Sequence, residues 1–592
     1  MVFEFRLPDI GEGVAEGEIL KWMVKEGDEV KKDQPLVEVM TDKVNVQIAA
    51  PRSGKVSNIM VKEGDTAKVG QTIMVIDDGS SGTVAPVAPQ DSPSPEKVAS
   101  VSQTQHIQAS SGVLATPATR QLARELGVLE ADLTVIGGGV GGYTCAIRAG
   151  QLGLKTIIVE ADRIGGECLN YGCIPSKSLI TVSKLLDRVR EAEKFGLKAS
   201  GLTVDFAQMQ KWKSEVVSKL VSGVEMLLKG NHVTIIMGTA EVVGTNRVLV
   251  RKADGQEEIS TKNLVIATGT ETVQLPGLEF DGDKVIGSRE GLELTSAPKR
   301  LMVVGGGAIG LEFASMFQKL GSAVTIVEVM DQLMPGSDPE VVRVVQRKFE
   351  GKGVRIYLKS KVSKVSKEGG GVKVEVETPD GIVTVEVDKV LVSVGRKPRT
   401  KKMNLQAIGV QTDQRGFIVT DNRMQTSARW VYAIGDVRGP PLLAHKASKE
   451  GLVAAECISG LPSAADWKVI PDAVFCDPEV ASVGLTEAKA VQGGYSVKRT
   501  RFHFAALGRA LSTGEGEGFV KVVSKTDDGL VLGVQIVGPE ASNLISEVAL
   551  AIEMGATVED IALTIHPHPT LSEAIMEASE SAAGKPIHQL KI

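Results

Sequence analysis

The sequence predicts a multidomain chain, with a small all-β sandwich first and then a larger α/β body built around two dinucleotide-binding units. Three observations carry this. Residues 24–39 and 61–76, VKEGDEVKKDQPLVEV and VKEGDTAKVGQTIMVI, repeat one another at an offset of 37. Two later stretches each run apolar strand, Gly-rich turn, helix and second strand. Gly is abundant at 64 residues while aromatics make up 4%, which suits many tight strand-to-helix turns.

A length of 592 residues allows about four domains at roughly 150 residues each. With 67 basic and 73 acidic residues, a net charge of −6 and no long Lys/Arg run, an electrostatic nucleic-acid or membrane binder is disfavoured. No apolar run of about 18 residues is present, so no membrane span is expected. The opening MVFEFRLPDIGEG lacks a basic-then-apolar signal pattern, so the expected location is cytoplasmic. Five cysteines, an odd count, argue against an extracellular disulfide scaffold.

In residues 1–78 each repeat gives a Gly-Asp turn followed by an alternating apolar strand, and Lys43 falls between the copies in a turn, Thr41-Asp42-Lys43-Val44. LPDIGEG, EGDEV, EVMTDKV and the second EGD resemble the lipoyl domains of 2-oxo acid dehydrogenase complexes. That resemblance implies lipoate in amide linkage to Lys43. A biotinyl domain shares the fold but usually flanks its lysine with methionines, where this chain has Asp42 and Val44. Residues 79–112 contain 19 Gly, Ser, Pro and Ala in 34 positions and are expected to be a flexible linker. Residues 113–131 read as a short helix with Leu122, Leu126 and Leu129 on one face, and resemble the first half of a peripheral subunit-binding domain.

The remaining chain holds the chemistry. LTVIGGGVGG turns through Gly137, Gly139 and Gly142 and reaches Glu160, 18 residues after the last of them. A helix N-terminus there favours a pyrophosphate and the carboxylate a ribose hydroxyl. The unit recurs with Gly305, Gly307, Gly310 and Glu328, again 18 residues on. Glu328 would repel a 2′-phosphate, so this site should take NAD rather than NADP. Between the units, IGGECLNYGCIPSKSL places Cys168 and Cys173 close together. No second Cys/His pair is spaced to complete a zinc site, and beside a dinucleotide fold the pair reads as a redox disulfide. Near the end, IHPHPTLSE sets His566 and His568 before a helix expected from Pro569. There Glu573 could be a base partner or only half of a Thr570 capping box.

GGECLNYGCIPSK, the Ala267–Gly269 ATG, GGGAIGLE, VSVGRKP, AIGD and HPHPTLSE together resemble the flavoprotein disulfide reductases of the dihydrolipoamide dehydrogenase type. The resemblance implies Rossmann-like FAD and NAD domains with an α+β C-terminal dimerisation domain. The implied boundaries are 132–276 and 397–470 for FAD, 277–396 for NAD and 471–592 for the interface. FAD would be held by Gly137, Gly139, Gly142, Glu160, Lys177, Gly238, Ala240, Gly269, Asp436 and Ala444. NAD would be held by Gly305, Gly307, Gly310, Glu312, Glu328 and Gly395. Cys168 would face the substrate, Cys173 the flavin, and His568 with Glu573 would be the acid–base pair. The implied activity is oxidation of protein-bound dihydrolipoamide with reduction of NAD, in a homodimer serving a 2-oxo acid dehydrogenase complex and its dihydrolipoyl acyltransferase. Alternatives are another FAD-dependent disulfide reductase or a lipoyl-carrying scaffold. A complex acyltransferase is disfavoured because no H-x-x-x-D-G motif is present.

Overall fold

The computed structural model describes residues 2–7, 16–31, 34–40, 45–51, 53–68, 70–77, 129–368, 370–401 and 403–590. They divide into two compact units, Met1–Ser111 and Gly112–Ile592.

The first unit is two four-stranded sheets. One contains Glu29–Val30 and Thr72–Asp77, the other Pro35–Met40 and Thr66–Lys68, so each repeat contributes one strand to each sheet. The turns between repeats and strands need Gly27 and Gly64, at φ +94° and +88°. Ile19, Leu36, Val37, Val39, Ile73, Met74 and Ile76 are fully buried between the sheets. Pro35–Met40 and Asn45–Ala49 pair antiparallel with Met40 opposite Asn45; Lys43 lies outside the described residues.

The second unit opens with strand Leu129–Ile136. Leu129 therefore sits in a strand, paired parallel with Ile259, and not in the helix expected over 113–131. The reason is period: Ala131, Leu133 and Val135 alternate into the core, and strands Thr156–Glu160 and Gly255–Ile266 on either side satisfy the backbone groups. The rest of that expected helix, 113–128, lies outside the described residues. Thr234–Met237, Thr156–Glu160, Leu129–Ile136, Gly255–Ile266 and Val431–Ala433 form a parallel sheet extended by an antiparallel meander. Helix α1 (Val140–Gln151) packs beside Ala444–Ile458, so the segment after residue 430 returns to the first sheet. A second parallel sheet, of Val285–Ile286, Lys389–Val392, Arg300–Val304, Ala323–Val327 and Arg355–Tyr357, carries helix α2 (Ala308–Lys319).

Residues from Asp472 onward form a five-stranded antiparallel sheet covered by helices Ala541–Met554, Val558–Leu563 and Glu573–Ala582. Lys521, in this sheet and 1% exposed, reaches Asp338 at 2.8 Å and Glu340 at 3.0 Å, at the start of helix Pro339–Gly351. A buried ion pair thus joins this antiparallel sheet to that helix.

Candidate active site

The two Gly-rich turns share one geometry. Gly137 and Gly305 have φ of +107° and +105°. A Cβ on Gly142 would fall 1.8 Å from the Gly137 carbonyl oxygen, and one on Gly310 would fall 2.0 Å from that of Gly305. Each helix must therefore start against bare backbone. Glu160 accepts from the Gly138 and Asp162 N–H groups at 2.6 and 2.8 Å, and Glu328 from those of Gly306 and Met330 at the same distances. Gly139 and Gly307 begin α1 and α2 with no side-chain cap. A Cβ on Gly139 would meet only the Gly166 Cα at 3.9 Å, and one on Gly307 nothing within 4 Å. Both helix ends thus present free N–H groups to open space, which fits a pyrophosphate at each.

The first turn opens into a cavity of about 1730 Å³, large enough for an extended dinucleotide. Gly137, Gly139, Glu160, Lys177, Gly238, Ala240, Gly269, Asp436 and Ala444 all line it, with Gly142 packed behind Gly137. Glu312, Ala308 and Ile309 of α2 reach the same cavity; Gly305, Gly307, Gly310, Glu328 and Gly395 do not. Burial pushes the Asp436 carboxyl up, and its bond from Thr270 Oγ1 is long at 3.3 Å, so a ligand hydroxyl there would be a welcome partner.

Cys168 and Cys173 are both on the cavity wall. Cys168 lies in the short helix Gly166–Tyr171, and Cys173 is the first residue of α3 (Cys173–Arg190), which has no side-chain cap. That position favours a thiolate. The Cys168 thiol hydrogen-bonds Cys173 and pulls it down to about 7; burial opposes this, and the Lys177 ammonium assists against the Glu312 charge. As the donor in that bond, and also through burial, Cys168 is pushed up. Cys145, fully buried, is pushed up to about 12 by burial alone and lies away from this chemistry. Lys177, one turn into α3, donates to both Glu312 oxygens at 3.0 and 2.9 Å and stands 4.4 Å from the centre of the Phe475 ring. The Phe475 N–H also donates to Glu312, at 3.1 Å.

His568 and Glu573 are together but away from the cavity lining. His568 Nδ1 is 2.8 Å from Glu573 Oε1, and the histidine side chain is 77% exposed. The helix expected from Pro569 begins instead at Glu573. Thr570 is no cap: its hydroxyl donates to the Pro567 carbonyl, while its N–H donates to Glu573 Oε2 at 2.8 Å, closing a tight turn. Burial pushes the Glu573 carboxyl up, but the Thr570 N–H and the His568 ring hold it below its ordinary value. His566, 4% exposed, is fixed between Glu547 and the Thr564 carbonyl, both at 2.8 Å, and is a structural histidine.

Sequence reasoning missed the groups that shape the turn of Asp436. Glu450, fully buried, accepts from the Gly435 N–H at 2.6 Å and pairs with Arg438 and with Lys446 at 3.4 Å. The signal was present: Lys446 and Glu450 fall on the stripe of helix Ala444–Ile458 that also buries Ala447, Gly451, Ala454 and Ala455.

Residues 131–451 match the family described as pyridine nucleotide-disulphide oxidoreductase and 470–579 its dimerisation domain, while residues 3–76 match the biotin/lipoyl family described as biotin-requiring enzyme. The chain is 48% identical over 464 residues to a dihydrolipoyl dehydrogenase of Haloferax volcanii, spanning 78% of this chain and 98% of that one. It is 45% identical over 460 residues to the dihydrolipoyl dehydrogenase of Geobacillus stearothermophilus, with the same coverage of each chain. Among solved structures, LpdA of Mycobacterium tuberculosis superposes with a TM-score of 0.71 at 28% identity, over 77% of this chain and 99% of that one. The HOCl-induced flavoprotein disulfide reductase RclA of Escherichia coli gives 0.68 at 27%, over 76% and 99%. Paired cysteines at a helix start, two matching dinucleotide turns and these likenesses agree: the chain belongs to the pyridine nucleotide-disulphide oxidoreductases, within them to the dihydrolipoyl dehydrogenases, and carries an N-terminal domain of the biotin/lipoyl type.

Proposed function

We propose that Cys168 and Cys173 are the redox disulfide of this enzyme, with His568 as base and Glu573 as its orienting partner. The enzyme is a dihydrolipoyl dehydrogenase: it oxidises dihydrolipoamide to lipoamide, reduces NAD to NADH and uses FAD. The observation that carries the residue assignment is Cys173 at the start of α3, drawn down to about 7 beside Cys168 and Lys177 on the cavity wall.

A substrate thiol gives its proton to His568 as its sulfur attacks Cys168, breaking the Cys168–Cys173 bond and leaving Cys173 as thiolate. The second substrate thiol then displaces Cys168, closing the cyclic disulfide. Glu573, bound to Nδ1, fixes the ring so that Nε2 takes the proton, and stabilises the imidazolium. FAD, when bound along Gly137, Gly139, Glu160 and Asp436, supplies the carrier that takes the electron pair from the dithiol and passes it to NAD. Glu160 and Asp436 would hold its hydroxyls, the first turns of α1 and of helix Ala444–Ile458 would hold its phosphate charge, and the Lys177 ammonium favours the Cys173 thiolate.

The dimerisation domain supports a homodimer. The exposure of His568 and its absence from the cavity wall support a site in which His568 and Glu573 of one protomer act at the cavity of the other. At the N-terminus, lipoate is the cofactor and Lys43 its point of attachment, in a chain that serves a 2-oxo acid dehydrogenase complex and its acyltransferase in the cytoplasm. Among the described residues no helix is long and apolar enough to cross a membrane.

The test is a pair of variants. Cys168→Ser should keep a long-wavelength charge-transfer band between thiolate and flavin without turnover, and Cys173→Ser should lose both. Turnover of dihydrolipoamide in either variant would overturn the assignment.

A further inference from the structure

Arg289, on the short helix Ser288–Leu292 of the second domain, reaches the helix that carries Cys168. Its guanidinium grips Glu167, the residue immediately before Cys168, with Nη2 2.5 Å from Oε2 and Nε 3.4 Å from Oε1. It also lies 4.0 Å over the Tyr171 ring, at the end of the same helix, and 3.8 Å from Asp162. Arg396 adds a second cation 3.4 Å from Glu167. Burial pushes the Glu167 carboxyl up, but these arginines outweigh it and hold the group ionised. All five residues come from or touch the redox helix, and Glu167, Arg289 and Arg396 line the same cavity as the cysteines.

The mechanism above uses none of this cluster, yet Glu167 immediately precedes Cys168 in one helix, and Glu167, Arg289 and Arg396 share the cavity wall with both cysteines. An unpaired carboxylate next to Cys168 would disfavour a thiolate, and an unpaired guanidinium would favour one. The other groups facing the cysteines are Lys177 on α3, Glu312 on α2 and Tyr143 on α1, which set a balance the cluster would tip. Bidentate pairing and ring stacking give the guanidinium one fixed place, so the compensation is geometric as well as electrical.

We propose that the Glu167–Arg289 ion pair, with Arg396, is a positioning and charge-compensating device that sets how readily the Cys168–Cys173 dithiol ionises, and so couples the second domain to the redox helix. The proposal rests on the redox reading of that cysteine pair.

The test uses holoenzyme reduced with NADH, alkylated with iodoacetamide across pH 5 to 9 and read at Cys168 and Cys173 by peptide mass spectrometry. Glu167→Gln removes the carboxylate charge that both guanidinium groups share, leaving only Asp162 beside Arg289, and should move the half-point of alkylation down by about 0.5–1 on the pH scale. Arg289→Leu should move it up by a similar amount, the double variant should return close to wild type, and Arg289→Lys should stay between. Opposite signs in the single variants are what a purely structural role would not produce. Shifts of the same sign, or none, would overturn the proposal. Failure of the redox reading itself looks different: wild-type Cys168 would then gain no alkylation on NADH reduction.

Discussion

The Lys177 ammonium is held by both oxygens of Glu312, at 3.0 and 2.9 Å, so the helix that begins at Cys173 is tied to the helix that begins the second dinucleotide unit. The Lys177 charge is one of the forces that lower Cys173, and Glu312 is one that raises it.

In the reduced enzyme the thiolate–flavin band should therefore titrate with a half-point of about 7, to which the Cys168 hydrogen bond draws Cys173 down. The sign follows from the depressed value: the band is present above the half-point and fades as pH falls through it. Lys177→Met should raise the half-point by about 1 on the pH scale, and Glu312→Gln should lower it. Absorbance at long wavelength against pH reads both.

His568→Gln should slow dihydrolipoamide oxidation by about 10²- to 10⁴-fold, because no other group then takes the thiol proton. NADH oxidation by an artificial acceptor needs no such base and should change little. Parallel loss of the two activities, measured by steady-state kinetics, would mean that the turn around His568 only holds the fold.

NAD should be preferred to NADP by roughly a hundredfold in kcat/KM, about 3 kcal/mol, since a like-charge contact with Glu328 opposes the 2′-phosphate. Two backbone N–H bonds fix that carboxylate in place, and it is 6% exposed. Comparison of the two cofactors with the wild-type enzyme decides the point.

Lys521→Met should lower stability by about 3–5 kcal/mol, since it strands the buried Asp338 carboxylate that caps helix Pro339–Gly351. A fall of several degrees in Tm, with the flavin spectrum retained, is the expected result. Lys521→Met with Asp338→Asn should recover much of the loss.

What was legible in the sequence was local chemistry. Gly137, Gly305 and their partners Glu160 and Glu328 announce themselves by spacing, because a turn, a helix start and a strand end are set within one short run of chain. Cys168 and Cys173 are equally close. Arg289, Arg396 and Glu450 were not legible, because each acts through a contact between distant segments. Arg289 and Glu167 are 122 residues apart, and nothing local marks either as a partner. Leu129 was misplaced for a related reason: LGVLEADL carries enough helical spacing to read as a helix, and only pairing with the distant strand Gly255–Ile266 makes it a strand. At Thr570 the capping pattern was present, but the hydroxyl bond to Pro567 turned the chain before a helix could form.

The two matching Gly-rich turns differ in their surroundings, and on the proposed assignment this should set how long each keeps its guest. The first opens into a cavity of about 1730 Å³, walled also by Glu312 of α2 and by Phe475. The second lies outside that wall, beside Val329 and Met330, which are 65% and 48% exposed. If each turn holds a diphosphate as proposed, the same grip should keep a resident in the first place and release a visitor from the second. Residence time is governed by enclosure, so a single backbone device can serve both a carrier that never leaves and one that must depart at every turnover.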